Sequence, residues 1–159
     1  MSEDRRPLLS GAMAPHILLT EEMERARAIA ADRKLGIMER LEAFEDIVDS
    51  EVGDTSMTRA RNLERSTGLR QIYLKFEGNN PTGTQKDRIA CAQAMDAMRR
   101  GFEAVTAATC GNYGVALAMA SNMSGLECRL LVPAAYHTKR IEEMERFGAK
   151  VLRVEGDDE

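Results

Sequence analysis

Asn79 to Arg88 reads NNPTGTQKDR, a Pro/Gly turn that delivers a lysine, Lys86, to the start of a predicted helix. Upstream, Gln71 to Glu77 alternates strictly, with Ile72, Leu74 and Phe76 on one face and Tyr73, Lys75 and Glu77 on the other. That pattern predicts a strand with one buried face. Downstream, from Asp87 to Arg100, Cys91, Met95, Met98 and Phe102 recur at helical spacing, Arg99 and Arg100 suit the negative helix end, and Gly101 is the stop. Strand, irregular turn and helix thus follow one another around Lys86.

The chain then repeats the theme: strand Ala104–Thr109, helix Asn112–Met123, strand Arg129–Val132, helix Thr138–Phe147, strand Lys150–Val154. Short apolar strands alternating with helices predict an α/β fold whose parallel sheet is flanked by helices. Right-handed crossovers put every strand-to-helix loop at one sheet edge, so Thr109–Tyr113 and Pro133–Thr138 are where a ligand is expected. Before this unit, residues 1–19 show no sustained period. Thr20 then caps a helix carrying Met23, Ala26, Ile29 and Ala30, which closes near Lys34 and Gly36. A second helix, Ile37 to about Val48, carries Ile37, Leu41, Phe44 and Val48 on one stripe, and Gly53-Asp54-Thr55-Ser56 breaks it. The expected organisation is a helical extension over residues 1–50 and an α/β unit over 51–159.

At 159 residues, 43% apolar and 30% charged, the chain has the composition of one folded domain. A net charge of −4 with acids and bases interspersed argues against nucleic acid as a partner. Runs such as Ala104–Ala108 and Val115–Ala120 are too short to cross a bilayer, and the acidic start lacks a secretory apolar region, so a cytoplasmic protein is expected. Cys91, Cys110 and Cys128 fit neither a disulfide framework nor a metal knuckle, and His16 and His137 cannot build a histidine-rich metal site.

Two segments can carry chemistry. Lys86 falls in the first turn of its helix, where a cation opposes the helix dipole, and a lysine amine is the group that Schiff-base chemistry uses. On turn chemistry alone, a solvated surface lysine is the simpler reading. Thr109-Cys110-Gly111-Asn112-Tyr113-Gly114 is a small polar turn opening a helix, where backbone N–H groups, Thr109 and Asn112 suit a carboxylate or phosphate. An ordinary capping turn, with Asn112 as cap, fits that segment too. Cys110 has no histidine near it in sequence and is not read as a nucleophile.

Taken together, Asn80-Pro81-Thr82-Gly83-Thr84-Gln85-Lys86-Asp87-Arg88 and Thr109-Cys110-Gly111-Asn112-Tyr113-Gly114 resemble the fold-type II pyridoxal-phosphate enzymes, the tryptophan synthase β-like superfamily, and within it threonine synthase. Val52-Gly53-Asp54-Thr55, Tyr73-Leu74-Lys75-Phe76-Glu77 and Lys139 to Val154 extend the likeness over roughly residues 50 to 156. The resemblance implies that Lys86 binds pyridoxal 5'-phosphate as a Schiff base and then serves as the base for the substrate α-proton. It implies that Thr109, Cys110, Gly111, Asn112 and Tyr113 cradle the carboxylate of a small amino-acid substrate, which in threonine synthase is O-phosphohomoserine, and that Asn112 also hydrogen-bonds the cofactor. Ser56-Met57, Thr84-Gln85, Cys110 and Tyr113 depart from the usual family residues. The resemblance also implies a second domain with a Gly-rich loop for the cofactor phosphate, and no such loop follows Lys86. The expectation is the N-terminal part of an elimination or replacement enzyme that forms a homo-oligomer or docks with the missing domain. The alternative is an inactive fragment or interaction module that keeps the half-fold without stably holding the cofactor.

Overall fold

A computed structural model describes residues 21–136 and 138–155; the Thr20 cap, His16, His137 and the final residues lie outside them. Two helices lead, α1 (Glu21–Ala31) and α2 (Ile37–Glu51). A short antiparallel ribbon follows, made of β1 (Met57–Arg59) and β2 (Tyr73–Lys75), with α3 (Arg61–Thr67) between them. After a 3₁₀ turn at Glu77–Asn79 come α4 (Lys86–Arg99), β3 (Ala104–Ala108), α5 (Asn112–Ser124), β4 (Glu127–Pro133), α6 (Arg140–Arg146) and β5 (Lys150–Val154). The last three strands form a parallel sheet in the order β3-β4-β5, with Val105 opposite Cys128 and Leu130 opposite Val151. The expected α/β fold is what the chain adopts.

Two readings need correction. The Gln71–Glu77 strand shortens to three residues, and its supposed buried face is open, with Leu74 at 54% and Phe76 at 62% exposure. Alternation buries one face only where a second layer covers it, and no described element packs over this two-stranded ribbon. Its partner β1 and helix α3 are absent from the sequence reading, because three-residue strands and a polar seven-residue helix leave little periodic signal. On α4, Phe102 lies beyond the helix and is exposed; the buried side is Ala90, Cys91, Ala94, Ala97 and Met98. Small residues on that face let α4 lie close against α5.

Helix α5 is enclosed from Gly114 to Ser121, and its buried Ser121 and Ser124 hydroxyls donate to the carbonyls of Leu117 and Ala120. β4 sends Cys128, Leu130 and Val132 into the same core, which α1 and α2 complete with Ala30, Ala43, Phe44 and Ile47. Because α4 ends just before β3 begins and α5 starts just after β3 ends, both helices run antiparallel to that strand. Their N-termini, with that of α6, therefore lie at the carboxyl edge of the sheet.

The opposite end is closed at Gly125, which has φ +69 and a position where a Cβ would lie 2.4 Å from the Ala31 carbonyl oxygen. Gly68 ends α3 with nearly the same backbone, φ +73, but in open space. Gly68→Ala should therefore cost only the left-handed strain, about 1 kcal/mol, whereas Gly125→Ala should cost at least twice that. Urea unfolding of the two variants measures the difference, and equal losses would mean that the α1–α5 contact does not matter.

Candidate active site

The turn before Lys86 is held from both sides. Asn80, almost wholly buried, accepts a hydrogen bond from the Gly53 N–H (3.0 Å) and donates through Nδ2 to the Glu77 carbonyl (2.8 Å) and to Glu77 Oε2 (3.0 Å). Arg88 donates from Nε to Glu77 Oε2 (2.8 Å) and from Nη2 to Glu77 Oε1 (3.0 Å), the Gly53 carbonyl (2.9 Å) and Thr55 Oγ1 (3.2 Å). One guanidinium thus ties α4 to the loop at Gly53–Thr55 and to the 3₁₀ turn. The Arg88 hydrogen bonds, helped by those from Asn80 and Thr55, hold the Glu77 carboxyl down at about 2.

Lys86, Asp87 and Arg88 are successive residues of one helix, so their side chains leave about 100° apart and take three different environments. Arg88 faces the clamp. Asp87 is fully buried, accepting from the Thr82 N–H (2.7 Å) and from the Thr82 hydroxyl; burial pushes its carboxyl up, against the lowering effect of Thr82 and of Arg140 at the start of α6. Lys86 is half-buried and donates its N–H to Thr84 Oγ1 (3.2 Å), while its Nζ forms no hydrogen bond or ion pair among the described residues. Glu77, Asp87 and Arg88 escaped the sequence reading as site residues. The available signal was helical period: of three consecutive polar residues at a buried helix start, one must point inward.

The second segment arrives at the same edge from β3. Thr109 N–H donates to the Leu131 carbonyl (3.0 Å), extending the β3–β4 ladder by one bond. Gly111 precedes α5 without a side-chain cap, so Asn112 is the first helical residue and not the cap. The first helical bonds, from Gly114 and Val115 to the Gly111 carbonyl, leave the amides of Asn112 and Tyr113 directed out of the helix start. The Thr109 hydroxyl and the Asn112 side chain make no hydrogen bond among the described residues, and Cys110 is an exposed free thiol. Tyr113 goes elsewhere: its hydroxyl bonds Gln93 Oε1, two turns along α4, and its ring lines a hollow of about 270 Å³ with Ala97, Phe102 and Thr106. A larger hollow of about 460 Å³ lies at the far end of α4 among Arg33, Arg40, Arg99 and Arg100, remote from Lys86.

An uncommitted amine, an uncommitted amide side chain, a free hydroxyl and two adjacent helix N-termini gather at one edge. That donor set fits a ligand bearing an aldehyde and acidic groups, which is the chemistry of pyridoxal phosphate. Among the described residues no cluster of three or more His, Cys, Asp or Glu could hold a metal ion.

Fold and site together define an α/β protein with a lysine at the carboxyl edge of a parallel sheet, the edge where open α/β sheets bind ligands. Residues 48–159 match the family of pyridoxal-phosphate dependent enzymes, and the chain belongs to it. Pyridoxal phosphate is the cofactor of that family. The threonine synthase of Methanocaldococcus jannaschii is 34% identical over 130 residues, 78% of this chain and 32% of that protein. Cysteine synthase B of Escherichia coli is 32% identical over 111 residues, 67% of this chain and 36% of that protein. The crystal structure of a pyridoxal 5'-phosphate-dependent aspartate racemase is similar with a TM-score of 0.62 and 29% identity, over 72% of this chain and 36% of that one. The chain spans about a third of the length of these relatives. No helix among the described residues is long and apolar enough to cross a membrane.

The Glu77 clamp has a pH signature. Its folded carboxyl value of about 2 lies below the ordinary 4.5, so its contribution to stability is complete above about 4.5 and is lost as pH falls toward 2. Glu77→Gln should therefore melt below wild type at neutral pH, and the gap should narrow through that window. Thermal melts at several pH values check this; a gap that is constant from pH 7 to 2 contradicts it.

Proposed function

We propose that this chain carries the lysine-bearing part of a pyridoxal-phosphate dependent lyase or synthase acting on a small amino acid. The carrying observation is the Lys86 amine in the first turn of α4, without a partner among the described residues and beside the open N-terminus of α5. In this reading Lys86 Nζ would hold the cofactor, and as a free amine it would accept the proton from the substrate α-carbon. The amides at Asn112 and Tyr113, with the Thr109 hydroxyl and the backbone of Cys110 and Gly111, bind the substrate carboxylate, and Asn112 steadies the cofactor ring. Pyridoxal phosphate supplies, when bound, the electron sink that makes the α-proton removable.

Among family members the choice is elimination or replacement of threonine synthase type, with O-phosphohomoserine as candidate substrate. This finer reading is supported by the 34% identity to a threonine synthase and by the motif likeness at Asn80–Arg88. The organisation we favour is a leading helical pair, bolted through Ala30, Phe44 and Ile47 to the α/β unit, which further protein completes. Exposed Leu74, Phe76, Ile89, Leu152 and Val154 are the surfaces such protein, or a second copy, would cover. The same open surfaces favour a second reading, an interaction module that keeps the fold without holding the cofactor.

Titration with pyridoxal phosphate separates the two. The enzyme reading expects a visible absorption band that borohydride fixes to the Lys86 peptide, is lost in Lys86→Ala and weakens about three- to tenfold in affinity in Asn112→Ala. A longer protein containing this segment that gives no band, or borohydride trapping spread evenly over the lysines, would overturn it.

A further inference from the structure

The turn before Lys86 carries a second, buried device. Asp87 follows Lys86 directly, yet is completely buried, and both its oxygens are used by one residue, Thr82, on the other side of the turn. Thr82 is itself almost fully buried. Between the two stand Gly83, with φ +82, Thr84, Gln85 and Lys86, and the Gly83 N–H donates to the Asn80 carbonyl (2.8 Å). The pair therefore closes a loop of six residues whose last free member before Asp87 is Lys86. Among the described residues the Asp87 carboxyl accepts hydrogen bonds only from Thr82, while the Asp87 N–H donates to the Thr84 carbonyl (3.4 Å); Arg140 acts on the carboxyl through charge while pairing with Glu143 (2.6 Å). Its carboxyl hydrogen bonds therefore act within the turn.

We infer that Asp87 is a positioning residue for Lys86: by holding the Thr82 N–H and hydroxyl, it fixes the turn so that the Lys86 side chain leaves α4 toward the open edge. Two neighbouring bonds act in the same sense. Thr84 Oγ1 accepts the Lys86 N–H, and the Arg88 clamp stops α4 from rotating about its axis. With Asp87 pulled inward and Arg88 drawn to the clamp, helical geometry leaves Lys86 one direction. A rotation of the first turn would exchange the buried and the open direction, placing a carboxylate where the amine belongs. The inference rests on the proposed use of Lys86 as the reactive amine, but its test does not require the cofactor.

The test is trace acetylation of the folded protein with acetic anhydride, reading by mass spectrometry the ratio of Lys86 to Lys34, an exposed lysine on the α1–α2 connection. Asp87→Asn keeps an acceptor for the Thr82 N–H and offers a donor to its hydroxyl, and Thr82→Ser keeps both groups. Both variants should hold the ratio within about twofold of wild type. Asp87→Ala removes both bonds and Thr82→Val removes the hydroxyl bond, leaving the Thr82 N–H as the one donor; both should shift the ratio beyond that twofold band, Asp87→Ala the further, because a redirected amine meets a different degree of burial. A role in stability alone would leave the ratio unchanged in any variant that remains folded by circular dichroism. An unchanged ratio in folded Thr82→Val or Asp87→Ala overturns the inference, and so does unfolding of both, which would make the pair a stability element. Borohydride trapping with pyridoxal phosphate on the same variants keeps the two ideas apart: ratios that shift as expected, in a protein that takes up no cofactor at Lys86, sink the cofactor reading and leave the positioning role standing.

Discussion

Helix α5 has almost no free side, and the rest of the molecule is arranged by that fact. From Gly114 to Ser121 it is covered by α4, α1, α6 and the sheet, so its residues there are small or apolar, and the hydroxyls of Ser121 and Ser124 turn back onto the helix's own backbone. Gly114 marks the tightest point: a Cβ there would meet Met144 Cε at 2.6 Å and Thr109 Cγ2 at 2.9 Å. The helix therefore fixes the approach of α6 and the seat of Thr109 at once. Only its first turn is left open, and that turn belongs to the candidate site.

Packing α4 parallel to α5 also sorts charge. Both positive dipole ends meet at the edge that holds Lys86, Thr109 and Asn112, which favours an acidic ligand there. The negative ends meet at the opposite edge, with the end of α1. Arg33 answers them by donating to the carbonyls of Gly125 (2.7 Å) and Glu103 (2.8 Å), and Arg40 by donating to those of Ala30 (3.0 Å) and Ser124 (2.7 Å). Arg33 and Arg40 in the arginine-lined hollow at that end thus serve carbonyls at and beyond the helix termini, while Arg100 pairs with Asp96.

Two carboxylates flank the lysine turn and experience opposite environments. Glu77 is partly exposed and held low by Arg88; Asp87 is buried and pushed up by the loss of water. The first anchors the turn to the protein and the second closes the turn on itself. Neither needs to touch a ligand to decide where Lys86 points.

Much of this was legible in the chain. The alternation of strands and helices after Asp87, the two polar turns, and the helical pair at the start each carry a local periodic or turn signal, and local signals survive without neighbours. The likeness of the two turns to one enzyme family added their pairing. What could not be read was whatever depends on a covering layer: the open ribbon at Leu74 and Phe76, the alanine-lined seam of α4 in place of a stripe ending at Phe102, and the diversion of Tyr113 toward Gln93. Burial of Asp87 was hidden for the same reason, since three consecutive polar residues at a helix start look alike until a neighbour occupies one side. By itself the sequence determined where the chain turns and which residues bring reactive groups to those turns, because backbone preference and side-chain period are local. Which of Lys86, Asp87 and Arg88 faces the open edge, the core or the clamp was decided by tertiary packing alone, because a helix has no preferred face until something is packed against it.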